Sequence, residues 1–164
     1  MAAYSPEQWS DLFVATAGAA AALTGLLFVA VSINLDRILS FAGLPNRALA
    51  TLVLLLGATI VSILCLAPGQ SNAALGIELL VVGLLASLIV FRQLRASHDP
   101  KHQTTGQYAG HLTLGAIGVI PFVIAGISLL AESGGGMYWV LAGVVGAIVG
   151  GVANAWVLLV EILR

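Results

Sequence analysis

Residues 12–35 read LFVATAGAAAALTGLLFVAVSINL, twenty-four positions without a charged side chain. A bilayer's hydrocarbon core, about 30 Å thick, is crossed by a helix of about 20 mostly apolar residues. This run is long enough, and it lacks the two-residue alternation over about 10 residues that marks a strand of a membrane barrel. Met1–Asp11, ahead of it, carry Glu7 and Asp11 and no Lys or Arg. Without a basic region at its start, the run is not expected to be a cleavable signal peptide.

Four more runs follow: Ala48–Ala67, Ala73–Phe91, His111–Leu130 and Tyr138–Ile162. The punctuation between them is Gly43 and Pro45, then Pro68-Gly69, then the polar stretch Ser97–Gln107, then Ser133–Gly136. The whole chain agrees with this local reading. It is 60% hydrophobic and 8% charged, with a mean hydropathy of +1.07, against about 45–50% and about 25% in a soluble domain. Too few polar residues exist to cover a water-facing surface. The expected fold is one all-α transmembrane domain over residues 1–164, a bundle of five spans with the lipid bilayer as its first partner.

Six basic and seven acidic side chains give a net charge of −1 and no basic surface for nucleic acid. A single cysteine, Cys65, excludes an internal disulfide and a cysteine-based zinc site. No metal and no cofactor is expected.

The basic residues orient the bundle. Arg37 and Arg47 flank the first loop, Arg92, Arg95 and Lys101 lie in or beside the third, and Arg164 ends the chain. With five spans, all six fall on one side. The positive-inside rule makes that side cytoplasmic, which puts the N-terminus outside and the C-terminus inside, in the cell's inner (plasma) membrane. Tyr4, Trp9, Tyr138 and Trp139 then sit at the outer interface, as aromatic anchors do.

Lipid supplies no hydrophobic drive between helices, so small residues mark the close contacts. Span five carries Gly143, Ala147, Gly151 and Ala155 beside Gly146, Gly150 and Asn154. Span one carries Ala17, Ala21 and Gly25, with Gly18 and Ala22 alongside. These faces serve either packing within the bundle or an interface between subunits. Two such faces on so small a bundle point to a homo-oligomer. Pro121, in the middle of span four, is expected to kink its helix.

Glu78 lies about five residues into span three, or about 8 Å deep. Acidic residues at that depth usually face the bundle or a watery cavity, and they are candidates for function. Thr16 and Ser62 are level with it on spans one and two. Either Glu78 is neutral and joins helices, or it serves a cation or proton site. Thr24 and Ser32 continue a mildly polar stripe down span one, which ends in Ser32, Asn34, Asp36 and Arg37. Such a stripe either lines a path or bonds across helices. Asn154 can pair with a neighbouring helix or with another subunit.

His98 and His102 are four residues apart, but Asp99-Pro100 between them works against a helix. His111 sits at a membrane edge. Glu78 is near one face of the bilayer and the histidines near the other, too far apart to share a proton in one active site. No phosphate loop, nucleophile elbow or zinc-protease helix motif is present. The chain is not expected to be an enzyme.

The run Leu23-Thr24-Gly25-Leu26-Leu27-Phe28-Val29-Ala30-Val31-Ser32-Ile33-Asn34-Leu35-Asp36 resembles a family of small bacterial multi-pass membrane proteins, some of them labelled "modulator of FtsH protease". Pro68-Gly69-Gln70 followed by Leu75-Gly76-Ile77-Glu78-Leu79-Leu80 is similar to the same group. The resemblance runs over most of the chain and brings Ser32, Asn34, Asp36 and Glu78 into the parts that look alike.

Two functions follow as expectations. One is a homo-oligomeric, non-enzymatic channel for a cation or small solute, lined by span one, with Glu78 near its outer mouth. The other is an accessory or adaptor protein that modulates a larger membrane complex or protease through its glycine-rich faces.

Overall fold

The computed structural model describes residues 2–41, 43–97 and 105–163. Two short 3-10 turns, Ala2–Tyr4 and Pro6–Trp9, lead into α1 (Ser10–Ile33). Then come α2 (Leu35–Ser40), α3 (Leu44–Leu64), α4 (Asn72–Ala96), α5 (Thr105–Leu130) and α6 (Met137–Leu163). No strand occurs among the described residues. All the helices except α2 are long and apolar enough to cross a membrane, so the chain is a multi-pass membrane protein with five candidate spans.

Local chemistry moves several boundaries away from the apolar runs. Gly43 adopts φ +89°, a left-handed conformation open to glycine, and Pro45 occupies the first turn of α3. The helix therefore starts at Leu44 rather than Ala48, and Arg47 becomes part of its first turn. Ser71 caps α4, accepting from the Ala74 N–H at 3.2 Å. That helix runs on past Phe91 to Ala96, taking in Arg92 and Arg95. Cations in a last turn complement the helix dipole. Near its end α1 breaks at Asn34 (φ −106°, ψ 20°), and α2 carries the chain on. At Pro121 α5 continues as one helix on both sides.

Four spans, α3 to α6, form a closed ring in which α3 meets α4 and α6, and α5 meets the same two. The register is antiparallel in each sequential pair. Gly76 faces Gly126 while Gly115 faces Leu94 between α4 and α5; Gly143 faces Phe122 while Gly150 faces Leu114 between α5 and α6. Leu54, Leu55, Ala58, Val61, Leu79, Phe122, Val144 and Ala147 fill the interior. The remaining span, α1, stands outside this ring against α3. It buries a narrow seam, Phe13, Ala20 and Leu27, repeating every seven residues.

The two ends of the bundle differ. At one end the Gly135 N–H donates to Tyr4 Oη at 3.1 Å, and Trp9 meets Tyr138 edge to face, with ring centres 4.9 Å apart. At the other lie Arg37, Arg47, Arg92 and Arg95. Lys101 and Arg164 are outside the described residues.

Candidate functional site

Glu78 is half-buried on α4, near the aromatic end. Its partner comes from the connection that precedes the helix. Gly69 (φ +69°) turns the chain, and Gln70 Nε2 donates to Glu78 Oε2 at 2.5 Å. The oxygen of the same amide, Gln70 Oε1, is buried and has no hydrogen-bond partner among the described residues. Beside this pair is a small cleft of about 250 Å³, lined among others by Glu7, Ser10, Cys65 and Gln70. Cys65 is 5% exposed.

Thr16 and Ser62 share the depth of Glu78 but bond to each other. Their hydroxyl oxygens are 2.9 Å apart, which ties α1 to α3 at a fully buried position of α3. Glu78 belongs to a different contact, since α4 packs on α3 and α5. The three acidic-site candidates thus divide into a loop-to-helix pair and a helix-to-helix pair.

The remaining polar residues of span one are satisfied locally. Thr24 Oγ1 donates to the Ala20 carbonyl at 2.7 Å, Ser32 Oγ to Phe28 at 2.8 Å, and Asn34 Nδ2 to Ala30 at 2.9 Å. A hydroxyl that donates to the carbonyl four residues back is held by its own helix, while its oxygen keeps lone pairs that can accept. Asp36 is exposed on α2. Asn34 also lines a cleft of about 320 Å³ between α1 and α6, whose other walls are almost wholly apolar, Leu27, Val31, Leu55 and Leu158 among them. The helix that carries Thr24 and Ser32, α1, packs on α3, whereas Glu78 stands on α4.

The six residues singled out on span five are all used inside the chain. A Cβ on Gly143 would meet the Phe122 ring, and one on Gly146 the Ile117 carbonyl. On Gly150 it would meet the Leu114 carbonyl at 3.0 Å, and on Gly151 the Leu55 side chain at 2.6 Å. Ala147 is fully buried against Gly118, and Asn154 is 4% exposed. This face is closed by α3 and α5. Span one differs. A Cβ at Gly18 or at Gly25 would meet nothing within 4 Å, and Val14, Leu26, Phe28 and Val29 around them are exposed.

A buried cation was not anticipated. Arg47, expected as an interfacial charge, is 5% exposed, and its Nη2 lies 3.0 Å from His111 Nε2. Arginine only donates, so this ring nitrogen accepts and its proton belongs on Nδ1. The signal was present in Gly43 and Pro45, which start the helix early. His98 and His102 lie outside the described residues. Among the described residues no three His, Cys, Asp or Glu side chains are grouped to hold a metal ion.

No family model matches the chain, and neither a curated protein nor a solved structure matches it.

Proposed function

We propose that this protein is a non-enzymatic accessory protein of the cell's inner membrane, acting by helix docking through α1. The observation that carries this reading is the open face of that helix. The span touches its own bundle along one seam, and its opposite side is a flat surface at Gly18, Ala22 and Gly25, flanked by exposed apolar side chains. In lipid, helices associate where small residues let backbones approach. The partner is a transmembrane helix, in a second copy or in a larger complex. A membrane-embedded protease is the larger partner that the family resemblance implies. The arginine-rich end faces the cytoplasm, in keeping with the positive-inside rule, and the N-terminus lies outside.

The test is native mass after purification in nanodiscs. Gly18→Leu with Gly25→Leu fills open space, so the chain keeps its fold while losing its self-association or its co-purifying partner. An unchanged assembly mass in this double variant would rule out docking through α1.

A second reading keeps a cation site at the outer end. It is favoured by Gln70 Oε1, a buried oxygen with no partner among the described residues, next to the Glu78 carboxylate. Under it, Glu78→Gln changes cation flux into proteoliposomes, and equal flux in the two proteins would dismiss it.

A further inference from the structure

The face of α4 that turns away from the ring carries one stripe that neither reading uses. Leu84, Ser87, Leu88, Phe91, Arg92 and Arg95 line a shallow groove of about 530 Å³. Steps of three and four residues keep them on one side of the helix. The stripe is apolar in mid-membrane and doubly basic at its end.

Two features point to a ligand. Arg92 and Arg95 are exposed, and among the described residues neither guanidinium has a hydrogen bond or an ion pair. The only acid on α4 is Glu78, fourteen residues from Arg92 and so about 21 Å along the axis. Ser87 supplies the second feature. Serine and threonine hydroxyls deeper in the spans are bonded: Thr24, Ser32, Thr51, Thr59 and Thr113 each donate to the carbonyl four residues back, and Thr16, Ser62 and Ser128 have other partners. Ser87 Oγ is buried and has none among the described residues. It lies five residues before Arg92, about 8 Å deeper along the helix. A hydroxyl without a partner in hydrocarbon is costly, and a turn about its Cα–Cβ bond would bring it to an acceptor carried at that depth by a molecule in the groove.

We propose that this groove holds one anionic phospholipid. Its phosphate sits between the Arg92 and Arg95 guanidiniums, which suit phosphate oxygens in a forked geometry. One glycerol unit below, an ester carbonyl accepts from Ser87 Oγ once that side chain turns into the groove. An acyl chain lies along Leu84 and Leu88. Two guanidiniums without a counter-charge among the described residues favour a headgroup of net negative charge over a zwitterionic one.

The chain is reconstituted in nanodiscs of equimolar phosphatidylglycerol and phosphatidylcholine, and lipids that stay bound are counted by native mass spectrometry. The wild type retains phosphatidylglycerol in preference. In Arg92→Gln with Arg95→Gln that retention falls roughly tenfold or more, the loss expected for two basic residues near an anionic headgroup. Ser87→Ala lowers retention of both lipids, because the ester is common to them. Arg37→Gln removes an exposed charge at the same end and leaves retention unchanged. Equal retention of the two lipids by the wild type overturns the proposal. So does full phosphatidylglycerol retention in the double variant, or a loss in Arg37→Gln as large as in that variant. Unchanged retention in Ser87→Ala overturns the ester contact.

Discussion

Gly146 of α6 packs against the backbone carbonyl of Ile117 on α5, the carbonyl whose helical donor would be the N–H that Pro121 lacks. Proline breaks one hydrogen bond in its helix, and in lipid the freed oxygen is expensive. A glycine at the crossing lets α6 come close enough for its Cα–H to reach that oxygen, a weak but useful contact. Proline on one helix and glycine on the next thus form a single device.

The first prediction follows from that contact. Gly146→Val drives a branched side chain into the α5 backbone, which cannot yield as a side chain would. It should destabilise the protein by about 1–3 kcal/mol, as overpacking does. Gly18→Val, into open space, should change stability by less than about 0.5 kcal/mol. Unfolding by SDS titration in mixed micelles compares the two. Equal midpoints would mean that the α5–α6 crossing is looser than described.

The Gln70–Glu78 pair gives the second. Gln70→Leu removes the donor and leaves the carboxyl group of Glu78 without its bond, at a cost of about 1–3 kcal/mol for a buried polar group that loses its partner. Glu78→Gln keeps an acceptor in place and should cost less. The same unfolding assay reads both, and a larger loss in Glu78→Gln would show that the bond to Gln70 is not what holds the loop.

Arg47 and His111 should be coupled. His111→Ala takes an acceptor from a buried guanidinium, and Arg47→Met takes the donor from the ring. Removing either alone is costly, because one polar group stays buried. The double variant should lose less than the sum, with a coupling of about 0.5–3 kcal/mol. Additive losses would mean that the 3.0 Å contact contributes nothing.

The spans were legible because their signal is summed over about 20 residues each, and no soluble alternative fits such a composition. What could not be read was the partner of each face. Span one and span five both show glycine and alanine at four-residue spacing. Periodicity tells which side of a helix is small, not what covers it. On α6 the cover is Phe122, Ile117, Leu114 and Leu55 of the same chain; on α1 the face is left open. The partner of Glu78 was missed for a related reason. Counting depth along helices finds Thr16 and Ser62, whereas Gln70 reaches its partner by folding back from a turn. Arg47 looked interfacial because it stands next to a loop, but a helix that begins at Leu44 carries it inside.

The last prediction concerns the cover over Cys65. Cys65 is 5% exposed and lines a small cleft together with Pro6, Glu7 and Ser10, so the N-terminal segment forms one wall of the approach to its thiol. That segment is pinned by Trp9, whose Nε1 donates to the Ala2 carbonyl at 2.8 Å and whose ring meets Tyr138. Only an accessible thiolate reacts with a maleimide, so labelling of the native protein should be slow. Trp9→Ala removes both anchors and lets the segment open locally. A loss of about 1.4 kcal/mol in the free energy of that opening raises the exposed fraction, and with it the labelling rate, about tenfold. Tyr4→Phe removes only the bond to the Gly135 N–H and should give a smaller rise. If Trp9→Ala is labelled no faster than the wild type, the thiol is guarded by the helices and not by the N-terminal segment. The cleft beside Gln70 would then be a fixed cavity rather than one that opens at the aromatic end.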